Sequence, residues 1–281
     1  MVPGVAACAG LAALGWLLFH DPAADLVVHV PGMDGEPVES QSAESVAIGA
    51  FFAAGEGEPA PLEGSWPRFR GAASDNLCTD PTPLAERWTD DQPRTLWQVT
   101  LGEGHAGAAI HRGRVYVLDY DNASKHELLR CLSLADGREI WRRGHALDIQ
   151  RNHGMSRTVP AVEGDHVVTL GPKCQVMCVD ATTGALRWGL DLAKDFGSDI
   201  PMWYTGQCPL VENGVAILAP AGDETLMMGV DCATGKVRWR TPNSDKLKMS
   251  HASVMPAVIA GERMYVYAAL GGLVGVSAEP G

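Results

Sequence analysis

The feature that most limits how this chain can fold is an eleven-residue pattern that occurs three times and begins a fourth. It reads CLSLADGREIW from Cys131, CVDATTGALRW from Cys178 and GVDCATGKVRW from Gly229. Each copy has a small first residue, an Asp or Ser at its third position, a Gly at its seventh and a Trp at its eleventh. A fourth copy, GVSAEPG, begins at Gly275 and reaches its glycine at Gly281. We therefore expect the sequence to end within a repeat.

The tryptophans of this pattern set a longer period. Trp97, Trp141, Trp188 and Trp239 follow one another at intervals of 44, 47 and 51 residues, and a self-similar period in the forties is typical of repeat architectures. Each period contains an apolar stretch, a glycine turn and a second apolar or alternating stretch, which predicts two strands. The first strands are predicted at residues 108–110, 159–162, 209–211 and 254–259, and the second at 114–118, 166–170, 215–218 and 263–267. A third strand leads into the Asp or Ser position, and the Trp strand closes the unit.

Four short antiparallel strands per period, with no helical periodicity between them, predict an all-β chain built as a β-propeller of four-stranded blades. About four blades are present, and one further strand is predicted at residues 95–104, TLWQVTLGEG. The 32 glycines and 18 prolines fit a fold with many turns. The hydrophobic share of 46% is enough for a sizeable core. A formal net charge of -12 argues against nucleic-acid binding, which needs clustered Lys and Arg.

The shared positions of the repeat are predicted to be structural. Gly184 and Gly235 stand where the chain reverses between the third and fourth strands, and glycine takes a positive φ there without a clash. Asp180 and Asp231 precede that reversal, where their oxygens can accept backbone N–H bonds. Trp188, like the other three tryptophans, offers a broad apolar face and one N–H group. We expect these tryptophans to form wedges between neighbouring blades.

The seven cysteines are too scattered along the chain for a small disulfide scaffold. Cys131 and Cys178 occupy the small-residue position that Gly229 and Gly275 fill in the other copies. Because a buried thiol behaves as a small apolar group, this equivalence predicts a packing role.

The first 64 residues differ from the repeats that follow. An apolar run at residues 5–19 stands at the start of the chain ahead of a polar linker, so residues 1–20 are predicted to direct export rather than to form a buried helix. The run is short for a membrane span and has no Lys or Arg before it, which leaves a signal peptide and an N-terminal membrane anchor both open. Residues 21–64 are rich in Pro, Gly and Glu and are predicted to be a linker. The apolar cluster at 46–52 within it is expected to form one or two helical turns that dock on the propeller of residues 65–281.

The repeat, small-x-Asp-x-x-Thr-Gly-x-x-x-Trp, resembles the tryptophan-docking motif of the PQQ (pyrroloquinoline quinone) enzyme-like β-propeller family. The resemblance covers residues 65–281, and the opening Trp66-Pro67-Arg68-Phe69-Arg70-Gly71 is similar to that of exported bacterial proteins with PQQ-binding-like repeats. It implies eight blades in a complete propeller and a periplasmic location, either soluble or membrane-anchored through residues 5–19. The family includes PQQ-dependent dehydrogenases and a non-enzymatic lipoprotein of the outer-membrane β-barrel assembly machinery.

The chain departs from the dehydrogenases of this family at the positions that carry their chemistry. Those enzymes hold an adjacent Cys-Cys pair against the cofactor, and the nearest approach here is Cys174-x-x-x-Cys178. No position can be assigned to a calcium ligand or to a catalytic aspartate, and no metal ligand is predicted. The resemblance therefore favours a non-enzymatic module that binds a protein or a small molecule. The alternative is a PQQ- or metal-dependent oxidoreductase, with PQQ and calcium as its cofactors.

The candidate site lies in the connectors that lead from one Trp strand to the first strand of the next blade. In a propeller these connectors meet at one mouth of the central channel. The polar and aromatic residues that they carry are His105, Arg151, His153, Arg157, Trp203, Tyr204, Gln207 and His251. Such a set can bind a carboxylate, a quinone or a metal. Equally, the same side chains can satisfy exposed backbone groups at the strand starts.

Overall fold

The computed structural model describes Trp16 and residues 46–62, 64–79, 81–88, 92–150 and 154–278. Two of the predicted ligand residues, Arg151 and His153, lie outside this part of the chain, as does the predicted signal or anchor apart from Trp16. The chain divides into two units, Met1–Gln41 and Ser42–Gly281, and the fold given below is that of the second. Within the described residues, no helix has the length and apolar character needed to cross a membrane.

Four antiparallel sheets follow one another along the chain. Sheet 1 contains β1 (Phe51–Ala54), β2 (Ala109–His111), β3 (Arg114–Asp121), β4 (His126–Ser133) and β5 (Glu139–Ala146). Sheet 2 contains β6 (Ala161–Glu163), β7 (His166–Leu170), β8 (Gln175–Asp180) and β9 (Leu186–Asp191). Sheet 3 contains β10 (Leu210–Glu212), β11 (Val215–Leu218), β12 (Thr225–Asp231) and β13 (Val237–Pro242), and sheet 4 contains β14 (Met255–Ile259), β15 (Glu262–Ala269) and β16 (Gly272–Ser277). One short helix, α1 (Leu192–Phe196), follows β9.

The strands pair in the order in which they occur, apart from β1, as expected for blades of a propeller. All of the first and second strands predicted from the repeat are present, with bounds that differ by a few residues at most. The third and fourth strands of sheets 1, 2 and 3 share an irregularity: the register shifts directly after Cys131, Cys178 and Gly229. The small residue of the repeat thus lies opposite the tryptophan at a bulge.

The turn after this bulge is closed by the aspartate of the repeat. The Oδ1 atom of Asp180 accepts bonds from the backbone N–H groups of Thr182 and Thr183 at 3.0 and 2.9 Å. Asp231 accepts the equivalent bond from the N–H of Thr234 at 2.8 Å. Gly184, which follows, has a φ of 69°, a conformation that glycine takes at little cost.

Neighbouring sheets are joined by the indole groups. Each indole N–H group donates to a carbonyl oxygen in the next turn along the chain. Trp97 donates to Leu134 at 3.0 Å, Trp141 to Thr182 at 3.0 Å and Trp188 to Cys232 at 2.8 Å. The ring also covers the turn glycine, so closely that a Cβ atom added at Gly184 would lie 2.6 Å from Trp141. The contact both fills the space between two sheets and satisfies the one polar group of the ring.

The prediction of a strand at residues 95–104 is wrong. This stretch has no strand of its own, although Trp97 and Val99 are partly buried while Leu96 and Gln98 are exposed. The side chains thus keep the alternation of a strand, and Trp97 contacts the turn of sheet 1 as Trp141 contacts that of sheet 2. Its backbone has no neighbouring strand in the described chain to pair with, and strands are defined by such pairing.

The prediction of helical turns in the cluster at residues 46–52 is also wrong. Strand β1 begins at Phe51 and pairs with the outer strand β5, so that Phe51 lies opposite Gly144 and Ala54 lies opposite Trp141. Sheet 1 therefore has five strands, and β1 covers the edge of β5. The ladder of hydrogen bonds to a ready-made edge outweighs the weak local preference of this short apolar run.

The chain continues from β1 towards the inner strands, and we call residues 51–68, apart from residue 63, the N-terminal strap. Backbone N–H groups of the strap donate to Glu139 and Gly113 in sheet 1, and Trp66 forms a bridge with Ile110 on β2. Val162 on β6 then donates to the carbonyl of Pro67 at 2.8 Å. The guanidinium group of Arg68 donates to the carbonyl of Val211 on β10. The strap thus touches the innermost strands of sheets 1, 2 and 3.

Candidate functional site

The connectors lie at the end of the sheets opposite the Thr-Gly turns, and each described connector contacts the next. The connector that contains His105 pairs with the next connector through a parallel bridge between Gly104 and Ser156. The backbone N–H of His105 donates to the carbonyl of Ser156 at 2.7 Å. The His105 ring lies directly over Gly154, since a Cβ atom there would be 2.8 Å from it. His105 is therefore part of the connector contact.

Arg157, Trp203, Tyr204 and His251 come together from three connectors. The guanidinium group of Arg157 donates to the carbonyls of Trp203 and Tyr204, the latter at 2.8 Å. The Nε2 atom of His251 lies 3.0 Å from the same Tyr204 carbonyl. The rings of Trp203 and His251 are stacked, with centroids 6.2 Å apart and planes inclined by 17°. The structure thus brings four of the eight predicted residues into one cluster.

The electrostatics of the cluster keep His251 neutral. Burial lowers the pKa of His251, and the nearby charge of Arg157 lowers this pKa further. A neutral His251 with its proton on Nε2 donates to the Tyr204 carbonyl and leaves Nδ1 as an acceptor. Tyr204 has a φ of 63°, which costs free energy for a residue with a side chain. The donors on its carbonyl therefore hold a strained backbone in place.

The side chains of Gln207 and Tyr204 make hydrogen bonds to backbone groups. Gln207 is fully buried, and its amide accepts from the N–H of Ala219 at 3.0 Å and donates to the carbonyl of Ala219 at 3.1 Å. The hydroxyl of Tyr204 donates to the carbonyl of Gln150 at 2.9 Å. These contacts match the alternative in which connector side chains satisfy exposed backbone groups near the strand starts.

Exposed apolar side chains flank the cluster. Ile200 is 43% exposed and Met202 is 54% exposed, in the same connector as Trp203 and Tyr204. We call residues 200–204 together with Arg157 the rim. Tryptophan, tyrosine, methionine and arginine are the residue types enriched at protein–protein interfaces. Tyr204 is buried and the Arg157 guanidinium is bonded to the backbone, so the exposed part of the rim consists of Ile200, Met202 and the partly buried Trp203.

A second concave site was not predicted from the sequence. A pocket of about 340 Å³ is lined by Arg68, Glu212, Arg263 and the β14 residues Pro256, Ala257 and Val258, with Ala72 and Ala73 beside them. Arg263 donates twice to the Glu212 carboxylate at 2.7 Å, and the Tyr265 hydroxyl donates to it at 3.1 Å. Arg68 occurs in the opening motif of the sequence, and that motif does not indicate its neighbours on β10 and β15.

A metal site needs several ligand side chains around one point, and the described residues do not provide them. They include no group of three or more His, Cys, Asp or Glu side chains that could hold a metal ion. The donor set that calcium needs, several oxygen ligands around one point, is therefore not found among them. The arginines of the pocket carry a positive charge that suits the binding of carboxylates. The guanidinium group of Arg263, however, is already bonded to the carboxylate of Glu212.

Comparisons with known proteins find one matching family model and solved structures of low sequence identity. A family model described as outer membrane protein assembly factor BamB matches residues 124–281, which is more than half of the chain. The structure of BamB from Moraxella catarrhalis has 16% identity and a TM-score of 0.41, over 65% of this chain and 49% of that one. Quinohemoprotein alcohol dehydrogenase from Comamonas testosteroni has 19% identity and a TM-score of 0.43, over 62% of this chain and 34% of that one. Among proteins of curated function, none matches the sequence.

The successive antiparallel sheets and the indole contacts between them define a β-propeller built from PQQ-like repeats. The chain belongs to the family of the outer membrane protein assembly factor BamB. It spans about half the length of the solved BamB chain and about a third of the quinohemoprotein dehydrogenase.

Proposed function

We propose that this chain is a binding or scaffold module that holds a protein partner through its rim. The observation that carries the proposal is the exposure of Ile200 and Met202 in a connector whose backbone is held by Arg157 and His251. A rigid surface loses little conformational entropy on binding, so its apolar contacts add directly to affinity. The family description, which names an assembly factor, also supports a role in holding other proteins.

A photoreactive amino acid tests this role in the full chain in its native cells. Placed at position 202, it should form a cross-link to one protein, and Ile200→Glu should abolish that cross-link by placing a charge in the apolar contact. Leu84, which is 92% exposed and outside the rim, is the matched position for the same photoreactive group. Identical cross-linked products from positions 84 and 202 would contradict the proposal.

We also propose that the module is exported, with residues 1–20 as signal or anchor, residues 21–64 as a linker whose last part, from β1 onward, pairs with sheet 1, and residues 65–281 as the propeller. The apolar run at 5–19 and the family description support export. Fractionation of cells that make the full chain should recover it outside the cytosol. Recovery from the cytosol with Met1 retained would mean that residues 5–19 are not an export signal.

The alternative role, a PQQ- or metal-dependent oxidoreductase, makes a different prediction. The purified protein would then take up PQQ and calcium in a one-to-one ratio and acquire the absorbance of the quinone. We expect no stoichiometric uptake, because Arg157 and His251 are already engaged with backbone carbonyls. Saturable uptake at one site per chain would favour the oxidoreductase over the binding module.

A further inference from the structure

Two buried cysteines meet between sheets 2 and 3. Cys178 lies on β8, and Cys232 lies directly after β12 in the turn that leads to β13. Both side chains are fully buried. The Sγ atom of Cys178 is 3.5 Å from the carbonyl oxygen of Cys232, and the Cys232 side chain is close enough to raise the pKa of the Cys178 thiol. They are 54 residues apart in the chain and belong to different blades.

The indole contact between the sheets explains why the two thiols are adjacent. Cys178 is the cross-strand partner of Trp188, and the Trp188 indole donates to the carbonyl of Cys232 at 2.8 Å. The same carbonyl therefore receives the indole N–H and the Cys178 thiol. Because the indole fixes the turn against β8, the pair is held together by the architecture of the repeat.

The equivalent position between sheets 1 and 2 provides an internal comparison. There Cys131 replaces Cys178, and Ala181, which follows Asp180, replaces Cys232. The carbonyl of Ala181 accepts from the hydroxyl of Tyr116 at 2.9 Å. Cys131 thus has the same place in the repeat without a cysteine opposite. The repeat itself tolerates alanine at the second position, so Cys232→Ala is expected to fold.

We infer that Cys178 and Cys232 form a disulfide bond that joins sheets 2 and 3 when the chain folds under oxidising conditions. Each thiol loses its proton and one electron as the sulfur–sulfur bond forms. A disulfide oxidant such as oxidised glutathione accepts the two electrons and is reduced to two thiols. The pair replaces a non-covalent contact between blades with a covalent one.

Because both thiols are buried in the folded chain, they can be oxidised only at a stage of folding when they are accessible. The hydrogen bond to Cys232 and burial both raise the pKa of the Cys178 thiol far above its ordinary value. Exchange needs a thiolate that can reach another sulfur, so the folded reduced pair is inert. The bond must therefore form during folding, while sheets 2 and 3 come together and the thiols are still accessible, and once formed it is protected from reductants.

The test is to refold the full chain in a mixture of reduced and oxidised glutathione, quench with acid, unfold and alkylate. Of the seven cysteines, the protein should alkylate two fewer than the fully reduced sample. Protease digestion should give one linked peptide that contains Cys178 and Cys232. Cys131 should alkylate fully in the same sample.

Stability gives a second measurement. The oxidised protein should have a Tm roughly 5–10 °C above that of protein refolded with a reductant, because a closed loop of this length restricts the unfolded chain. Cys232→Ala and Cys178→Ala should each abolish this difference and leave the Tm of the reduced protein within ~3 °C of wild type. Alkylation of all seven cysteines, or a linked peptide with any other pair, would overturn the inference.

Discussion

The Nε2 atom of His145 lies 3.5 Å from the Oε2 atom of Glu127, and each side chain is only 4% exposed. The two residues are cross-strand partners on β5 and β4. Gly171, directly after β7 of sheet 2, packs against this pair. A Cβ atom added at Gly171 would lie 2.2 Å from the Glu127 carboxyl group. In the described chain, none of the four polar side-chain atoms of this pair makes a hydrogen bond.

Burial makes both members of this pair neutral near pH 7. It raises the pKa of Glu127 to about 8, and it lowers the pKa of His145 to about 4, with a smaller contribution from His126. Tyr120, which faces Glu127 from β3, is neutral in the same range because burial raises its pKa. A protonated Glu127 beside an unprotonated His145 avoids the cost of a buried ion pair.

The pair predicts a fall in stability between pH 6.5 and 8. There the folded state keeps the proton of Glu127 while the unfolded state has lost it, so raising the pH favours unfolding. The slope should approach ~1.4 kcal/mol per pH unit. Below pH 6.5 the unfolded state binds a proton at His145 that the folded state does not bind. This effect on stability has the opposite sign to that of Glu127, and the two nearly cancel down to about pH 4.5. Urea denaturation across this range measures both regions.

Glu127→Gln is the control for this prediction, because it keeps the shape of the side chain and removes its proton. The variant should have nearly constant stability from pH 6.5 to 8. If it keeps the slope of the wild type, another group titrates and the assignment to Glu127 is wrong.

Gly184→Ala should be much more harmful than the same change at a turn without an indole. The added Cβ atom would lie 2.6 Å from Trp141, in addition to the cost of alanine at a φ of 69°. Gly164 has a similar φ of 58° and no atom within 4 Å of a built Cβ. We expect losses of about 1 kcal/mol for Gly164→Ala and about 2–4 kcal/mol for Gly184→Ala, measured by chemical denaturation. Equal losses would show that the indole contact adds nothing.

Asp231 should titrate at unusually low pH. Hydrogen bonds from Arg238 and Thr234 hold its pKa at about 2. Because this folded pKa lies below the unfolded value of 3.8, the stabilisation is present above about pH 4 and is lost as the pH falls towards 2. Carbon-13 NMR of the side-chain carboxyl group measures the pKa directly.

Arg238→Gln should raise the pKa of Asp231, while the bonds from Thr234 keep it below its ordinary value. Asp180 is the internal reference, since its partner is Arg187. The titration of Asp180 should be unchanged in the variant. An unchanged Asp231 would mean that Arg238 does not pair with it in solution.

Arg157→Gln should loosen the rim. The variant loses the guanidinium donors to the Trp203 and Tyr204 carbonyls, so the strained backbone at Tyr204 is held by His251 alone among these side chains. Hydrogen–deuterium exchange of peptides that cover residues 201–206 should become at least about threefold faster, the change that a loss of some 0.7 kcal/mol gives. Arg112→Gln, which removes an exposed pair with Asp165, should leave this exchange unchanged. Equal exchange in both variants would show that Arg157 does not order the rim.

Most of the fold could be predicted from the repeat. Its spacing predicted the strands of sheets 1 to 4 because each blade is made from one continuous stretch, and the pairs within it are close in sequence. Residues 95–104 were predicted as a strand from their alternation, which reports the faces of a strand and not the presence of a partner. The strand β1 was missed for the converse reason, because its partner β5 is distant in sequence.

The candidate site was predictable only in outline. The sequence indicated that the connectors converge, and the structure brings Arg157, Trp203 and His251 into one cluster. It did not indicate that Arg157 would bind backbone carbonyls, nor that the Gln207 amide would bond to the backbone of Ala219. The contact of Arg157 joins two connectors that are 46 residues apart, and that of Gln207 depends on how the chain folds back after β11; no local pattern encodes either.

The N-terminal strap has a consequence for how the chain folds during synthesis. Arg68 leaves the ribosome 143 residues before its acceptor, Val211, and Pro67 precedes Val162 by nearly a hundred. The end of the strap, at Pro67 and Arg68, must therefore remain without these partners until β6 and β10 have been made, whereas β1 can pair with β5 as soon as sheet 1 is complete. Contacts of such long sequence separation form slowly because they close large loops. A chaperone that binds the strap on the nascent chain would thus act on the step that completes the inner edge of the propeller.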